Sequence, residues 1–178
     1  MAAADAGQDP QAPARWGAAR RKTISWHDPA ALAAAGAELP GLEFLEAIRD
    51  GRLPPPPIAE LTGAELVSVS EGEAVFRCTP DESTYNPIGL VHGGLLCTLL
   101  DSAAGCAVHT TLPAGAGYSS IEIKVSFLAP LWSNSGAVEV RGRALRVGRR
   151  VAFAEAHAQA ADGVLVGHAT ASLALVRR

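Results

Sequence analysis

Residues 86–94 read NPIGLVHGG, and a lone acid, Asp101, follows seven positions later. Glycine lets the backbone approach a ligand closely, and the first N–H groups of a helix have no partner within that helix. A helix that begins at Gly93 and Gly94 would therefore present amide donors to a developing oxyanion. The stretch predicts a helix start that polarises a carbonyl group, paired with a carboxylate.

The residues after His92 carry the pattern of a buried helix. Apolar side chains recur in adjacent pairs every four positions, which is typical of one broad apolar face; the pairs are residues 95–96, 99–100, 103–104 and 107–108. Asp101 is the only charged side chain between His92 and His109, and it falls at the margin of that face. An ionised carboxylate in such a position needs a partner or a chemical task.

The spacing of Gly93 and Asp101 argues for two chains. With about 1.5 Å of rise per residue, the two residues lie roughly 12 Å apart along one helix, too far to share one carbonyl. Two antiparallel helices about a two-fold axis would bring Gly93 of one chain level with Asp101 of the other. We therefore expect a homodimer with two equivalent sites.

Composition narrows the class of protein. The 178 residues are 48% hydrophobic and carry a formal charge of −3, enough for one compact core without a strong electrostatic bias. The charges are mixed along the chain, which argues against nucleic acid or an anionic membrane as a partner. No long apolar run or secretory leader pattern is present, so we expect a soluble, cytoplasmic protein.

The three cysteines do not form a recognisable framework. Cys78, Cys97 and Cys106 are odd in number and lack metal-ligand spacing, so we expect reduced thiols and no metal site. Cys97 and Cys106 lie in the predicted central helix. We favour buried inert thiols over nucleophiles there.

The chain divides into three parts by composition. Residues 1–22 are predicted to be a disordered tail, residues 23–60 a helical arm with a proline-rich linker, and residues 61–178 the folded domain. In the arm, Asp28 and Pro29 precede a helix that ends at Gly36, and a second helix covers residues 42–50. Residues 54–57 are four prolines, which predict an extended spacer. That spacer is either a tether or an arm around a neighbouring subunit.

The rest of the domain is predicted to be β-structure. A hairpin of residues 64–70 and 74–79 precedes the helix, and four strands follow it; they are residues 119–128, 137–147, 151–160 and 164–176. Isoleucine, valine and phenylalanine alternate with polar residues in the first of these four, which indicates one buried face. Alanines and glycines line one face of the last two strands, where a helix can pack closely. The fold class is α+β, a curved antiparallel sheet around a long helix, and open sheet edges again favour a dimer.

Residues 86–94, Asp101 and the stretch YSSIEIKVSFLAP at residues 118–130 resemble the hotdog-fold acyl-CoA thioesterases of the phenylacetate-pathway (PaaI-like) type. The likeness covers about residues 61–176 and leaves the arm outside. It implies a hotdog fold and hydrolysis of an aromatic or medium-chain acyl-CoA. No cofactor is implied beyond the coenzyme A of the substrate, and two dimers are expected to pack into a homotetramer.

The resemblance also implies roles for the matched residues. Asp101 would be the general base or the nucleophile, and the N–H of Gly93 would hold the carbonyl oxygen, with Gly94 beside it in the substrate site. Asn86, from the same subunit as Gly93, would orient water or the thioester. His92 would mainly shape the loop.

The hydroxyl that assists the acid would come from Ser119, on the other subunit from Gly93. Ser120 competes for this role because a shift of one residue in register exchanges the two faces of a strand. Downstream, Gly148, Arg149 and Arg150 form a basic turn that would grip a phosphate of coenzyme A or simply be solvated.

Two other functions remain open from the residues alone. A hydratase or dehydratase on the same fold would need His92 and Asp101 to move protons together. Nine positions place those two residues on roughly opposite sides of one helix, so only pairing between subunits would serve. The other alternative is a protein that binds acyl-CoA without hydrolysing it.

Overall fold

A computed structural model of the chain describes residues 16–177, and the predicted tail up to residue 15 lies outside this part. Within the described residues there are four α-helices and six strands. The helices are α1 (Pro29–Ala37), α2 (Gly41–Arg49), α3 (Pro57–Thr62) and α4 (Gly93–His109). The strands are β1 (Ala64–Ser70), β2 (Glu73–Cys78), β3 (Ala116–Phe127), β4 (Val138–Val147), β5 (Val151–Gln159) and β6 (Leu165–Arg177).

The six strands form one antiparallel sheet in the order β1-β2-β4-β5-β6-β3. Helix α4 contacts all six strands, so the sheet curves around it. The predicted hairpin, the central helix and the four later strands are confirmed, with ends that shift by at most a few residues. The predicted α+β architecture is therefore confirmed.

Small residues allow α4 to pack closely against the sheet. The alanines at alternate positions of β5 are at most 1% exposed and face the helix; they are Ala152, Ala154, Ala156 and Ala158. On β4, a Cβ at Gly142 would overlap the carbonyl of Ala103 in α4. Strand and helix backbones are thus almost in contact here, which larger side chains would prevent.

Strand β3 departs from its predicted burial pattern. Ile123 and Val125 are half-buried, but Ile121 and Phe127 are 61% and 57% exposed. Ile121 falls in a β-bulge, where the register with β6 shifts between Ser120 and Glu122. In addition, β3 is an edge strand of the sheet. The prediction of one continuous buried face is therefore wrong at both ends of the apolar run.

The first arm helix begins as predicted and ends later. The Asp28 carboxylate accepts a hydrogen bond from the Ala30 N–H at 2.9 Å, and Pro29 is the first helical residue. The helix continues through Gly36 to Ala37, so the predicted stop is wrong. Gly36 faces the ring of Phe44, and an added Cβ would lie 2.8 Å from it. This glycine allows two helices to pack closely.

The arm packs on its own chain. In α2, Leu45 and Ala47 are 4% and 2% exposed and belong to the core. Residues 54–56 are extended as predicted, whereas Pro57 begins α3. A proline at the first helical position costs nothing because its missing N–H would have no partner there. Among residues 16–177 no helix has the length and hydropathy needed to cross a bilayer.

Candidate active site

Asn86 stabilises the loop before α4 through hydrogen bonds to residues of the same loop. The Oδ1 atom of Asn86 accepts hydrogen bonds from the N–H groups of Ile88 and Leu90, each at 3.1 Å. The backbone N–H of Asn86 donates to the Leu90 carbonyl at 2.8 Å, and Gly89 takes the positive φ of 84° that the turn requires. The oxygen of Asn86 is thus committed to the loop. Its carboxamide NH₂ is the end that could orient water or a thioester.

His92 caps the start of α4. Its Nδ1 atom accepts a hydrogen bond from the Gly94 N–H at 2.8 Å, and its backbone N–H donates to the Thr84 carbonyl at 2.8 Å. The Gly94 amide, a predicted substrate contact, is therefore already bonded within the loop. Histidine here has the usual role of an N-cap, which is to satisfy one of the first helical amides.

The other amide at the start of α4, that of Gly93, is unpaired. Among the hydrogen bonds of residues 16–177, the Gly93 N–H has no acceptor. Gly93 lines a groove of about 430 Å³ together with Leu90, Leu96, Phe127 and Leu131. An unpaired amide at the positive end of a 17-residue helix is a suitable donor to an oxyanion.

Asp101 is held by a serine of the same chain. The Ser120 hydroxyl donates to Oδ1 of Asp101 at 2.8 Å. Ser120 pairs with buried Leu173 and lies on the helix-facing side of β3, whereas Ser119 pairs with Ala174 and lies on the other face. The structure therefore brings Ser120, and not Ser119, to the acid.

The open side of α4 carries the polar residues of the helix. The sheet buries the apolar face, and the side that it leaves uncovered is half-buried or exposed; it carries Gly94, Cys97, Thr98, Asp101 and Ser102. Gly93 and Asp101 lie on one continuous helix, about 12 Å apart at 1.5 Å of rise per residue. A single chain therefore does not assemble amide and carboxylate around one carbonyl. His92 and Asp101 are likewise not brought together within the chain.

Tyr118 is a neighbour of the site that the sequence did not single out. A Cβ at Gly105, one turn beyond Asp101, would overlap the Tyr118 ring. Burial raises the pKa of Tyr118 well above its usual value, and nearby Cys106 and Asp101 raise it further. A glycine inside a helix is a signal of such close approach.

The three thiols are free, and burial raises the pKa of each. Cys78, Cys97 and Cys106 form no disulfide. Burial raises the pKa of Cys106 to about 12, with Asp101 adding to the shift and a hydrogen bond with Tyr118 opposing it. Since the thiolate is the nucleophilic form, this favours the inert thiol over the nucleophile. Within residues 16–177 no three His, Cys, Asp or Glu side chains are grouped to hold a metal ion.

The basic turn between β4 and β5 is exposed; its residues are Gly148, Arg149 and Arg150. The next residue, Val151, pairs with Ala174 of β6, and Ala174 pairs with Ser119 of β3. The turn thus lies level with Ser119 along the sheet and two strands away, about 10 Å at the usual strand spacing. A long ligand could reach both.

Comparison with known proteins agrees with this description. Residues 88–166 match the thioesterase superfamily. The crystal structure of a phenylacetic acid degradation-related protein from Ralstonia eutropha JMP134 is 30% identical, with a TM-score of 0.67 over 73% of this chain and 98% of that chain. Acyl-coenzyme A thioesterase 13 of Homo sapiens is 30% identical over 88 residues, or 49% of this chain and 61% of that protein.

A third relative is the 1,4-dihydroxy-2-naphthoyl-CoA hydrolase of Listeria monocytogenes serotype 1/2a, which is 28% identical over 92 residues, or 52% of this chain and 73% of that enzyme. The residues matched by the superfamily include the end of the Asn86 loop, all of α4, strands β3 to β5 and the start of β6. The arm lies outside them. The chain therefore belongs to the thioesterase superfamily, as a hotdog-fold thioester hydrolase that is similar to the Ralstonia eutropha protein.

Proposed function

We propose that this enzyme hydrolyses an aromatic or medium-chain acyl-CoA to the free acid and coenzyme A. The observation that carries the proposal is the unpaired Gly93 N–H at the start of α4, on the same helix as the Ser120-bonded carboxylate of Asp101. The names of the Homo sapiens and Listeria relatives support coenzyme A esters as the substrate class. We also infer a cytoplasmic enzyme, in keeping with its free thiols.

The chemistry needs only a base and fixed donors. As a base, Asp101 takes a proton from water, and the hydroxide attacks the thioester carbonyl. As a nucleophile, the carboxylate attacks instead, and water then hydrolyses the mixed anhydride. In both routes the Gly93 N–H binds the oxyanion, which collapses with loss of the coenzyme A thiolate. A thioester is already electrophilic, so the proposal includes no cofactor and no metal.

The site is proposed to form between two chains. Asn86 and Gly93 of one protomer would face Asp101 and Ser120 of its partner across two antiparallel copies of α4. Exposed apolar residues on the β3 edge support this arrangement, since burial in a dimer would remove Ile121 and Phe127 from water. Packing of two dimers into a homotetramer completes the proposed assembly.

The coenzyme A end of the substrate is proposed to reach the basic turn. Arg149 and Arg150 are exposed cations, and arginine binds phosphate through paired hydrogen bonds. Gly148 permits the tight turn that presents them, and its N–H donates to the Val151 carbonyl at 3.0 Å.

Replacing Asp101 by asparagine tests the proposal. Asp101→Asn keeps the shape but removes the base, so we expect kcat/KM to fall by about 10²- to 10⁴-fold on acyl-CoA substrates. Thiol release is measured in the presence of a chelator, and sedimentation checks that the assembly is unchanged. Unchanged turnover in Asp101→Asn would remove this acid from the mechanism.

Mixing two inactive variants tests the shared site. Gly93→Pro deletes the amide at the first helical position, where proline loses no helical hydrogen bond, and the exposed Phe127 ring, 3.0 Å from a Cβ at Gly93, has to shift to accept it. After chain exchange with Asp101→Asn, each mixed dimer would hold one site with both groups intact. We expect up to about a quarter of wild-type activity, because half the dimers are mixed and half their sites are complete. No recovery after confirmed exchange would place both groups in one chain.

A further inference from the structure

A cavity of about 360 Å³ lies between the arm and the last turn of α4. Its walls include Leu32, Ala33 and Phe44 of the arm and Cys106, His109 and Tyr118 of the domain. We propose that this cavity holds the acyl group of the substrate, so that helices α1 and α2 determine which acyl groups are accepted. The inference rests on the proposed thioesterase function. It concerns residues outside the part of the chain that matches the superfamily.

Tyr118 connects this cavity to the surroundings of the acid. Ser120 is bonded to Asp101, and Tyr118 lies two residues earlier on the same face of β3, about 7 Å along the strand. Tyr118 packs over Gly105, one turn beyond Asp101 on α4, and also lines the cavity. An acyl group whose carbonyl lies at Asp101 therefore reaches this wall within a few carbon atoms.

The lining suits an apolar group. Among the described residues no Asp, Glu, Lys or Arg lines this cavity, whereas a neighbouring cavity of about 460 Å³ is lined by Arg49, Glu60 and Glu65. Aromatic rings form part of the wall, with the His109 ring centroid 5.8 Å from those of Phe44 and Tyr118. Such a lining, with few polar groups, is usual for pockets that bind the apolar part of a ligand.

The arm supplies one wall and so limits the space. Helix α1 reaches the cavity through Leu32 and Ala33, and α2 reaches it through Phe44 and Leu45. A pocket of this size is at the small end of the range for ligand sites. Adding a bulky side chain from the arm should shorten the acyl groups that fit, without a change to Asp101 or Gly93.

The test is Ala33→Trp, with Ala34→Trp as its matched control. Both alanines are exposed on α1, but only Ala33 lines the cavity. Thiol release is measured with acetyl-, butyryl-, octanoyl-, decanoyl- and phenylacetyl-CoA. We expect Ala33→Trp to lower kcat/KM about tenfold or more for the octanoyl, decanoyl and phenylacetyl esters and to leave acetyl-CoA unchanged. Ala34→Trp should keep the wild-type profile.

Each other outcome contradicts the inference. An unchanged profile in Ala33→Trp, or an equal loss on acetyl-CoA, would show that the acyl group lies elsewhere while the proposed function stands. A wild-type chain inert towards every ester would overturn the proposed function and this inference with it. Melting temperatures check that the variants fold. If tryptophan unfolds the chain, Ala33→Leu against Ala34→Leu makes the same comparison.

Discussion

At the scale of single residues, the two adjacent serines of β3 give a matched pair. Ser120 donates to Asp101 at 2.8 Å, and Ser119 points to the other face of the sheet. A hydrogen bond to a charged group contributes about 1.5–3 kcal/mol, so Ser120→Ala should lower kcat/KM by about ten- to a hundredfold. Ser119→Ala should stay close to wild type. A larger loss in Ser119→Ala would assign the assisting hydroxyl to Ser119.

The same serines show why strict alternation does not identify the serine that contacts the acid. Strict alternation from Ile123 back along β3 puts Ser119 on the face of the isoleucines. The bulge at Ile121 adds one residue and exchanges the faces before it. A single sequence carries no signal for that extra residue. By contrast, the separation of Gly93 and Asp101 follows directly from the sequence, because both lie on one helix with a fixed rise per residue. Their roles stay a prediction.

At the scale of elements, adding one methyl group where β4 contacts α4 should lower the stability of the fold. Gly142→Ala places a Cβ against the backbone of Ala103, which cannot move alone. We expect a loss of about 1–3 kcal/mol and a melting temperature lower by about 2–12 °C. Gly117→Ala is the control, because its Cβ would meet Val176 at an ordinary 3.6 Å. Equal melting temperatures for the two variants would contradict this packing.

Helices and strands could be predicted from the sequence where the spacing of their apolar residues repeats over many positions. The paired apolar residues of α4 and the alternating alanines of β5 each give a long, unambiguous pattern. The short helix α3 was missed because its start is a proline run that favours extended backbone. The predicted end of α1 failed because Gly36 packs against Phe44, and a contact between elements is not visible in local sequence.

At the scale of the whole molecule, ion pairs join the segment before α1 to residues 81–82, which precede the Asn86 loop. Lys22 contacts Asp81 at 2.7 Å, and Arg20 pairs with Glu82. Hydrogen bonds from Lys22 and then Ser83 lower the pKa of Asp81 from 3.8 to about 2. A lowered carboxyl pKa stabilises the fold above the unfolded value near 4, and this stabilisation is lost as pH falls towards 2.

Lys22→Met should therefore show an acid-dependent effect. We expect it to cost about 0.2–1 kcal/mol at pH 6, since the pair is exposed, and the difference from wild type should shrink from pH 4 downwards. Melting temperatures between pH 6 and pH 3 measure this. Lys124→Met removes an exposed lysine for which the described residues show no ion pair, so it controls for net charge. A difference that does not vary with pH would contradict the assignment to Asp81.

The alanine-lined face of the sheet has a consequence for how this enzyme can diversify. The backbones of the strands and of α4 nearly touch, so the space between the sheet and the helix has no room for a substrate. Larger side chains there would push the helix away from the sheet. Selectivity has to be built from whatever covers the far side of the helix, either a second copy or an N-terminal extension. A change in either of these segments can therefore alter which substrates bind, while the sheet and the central helix stay the same.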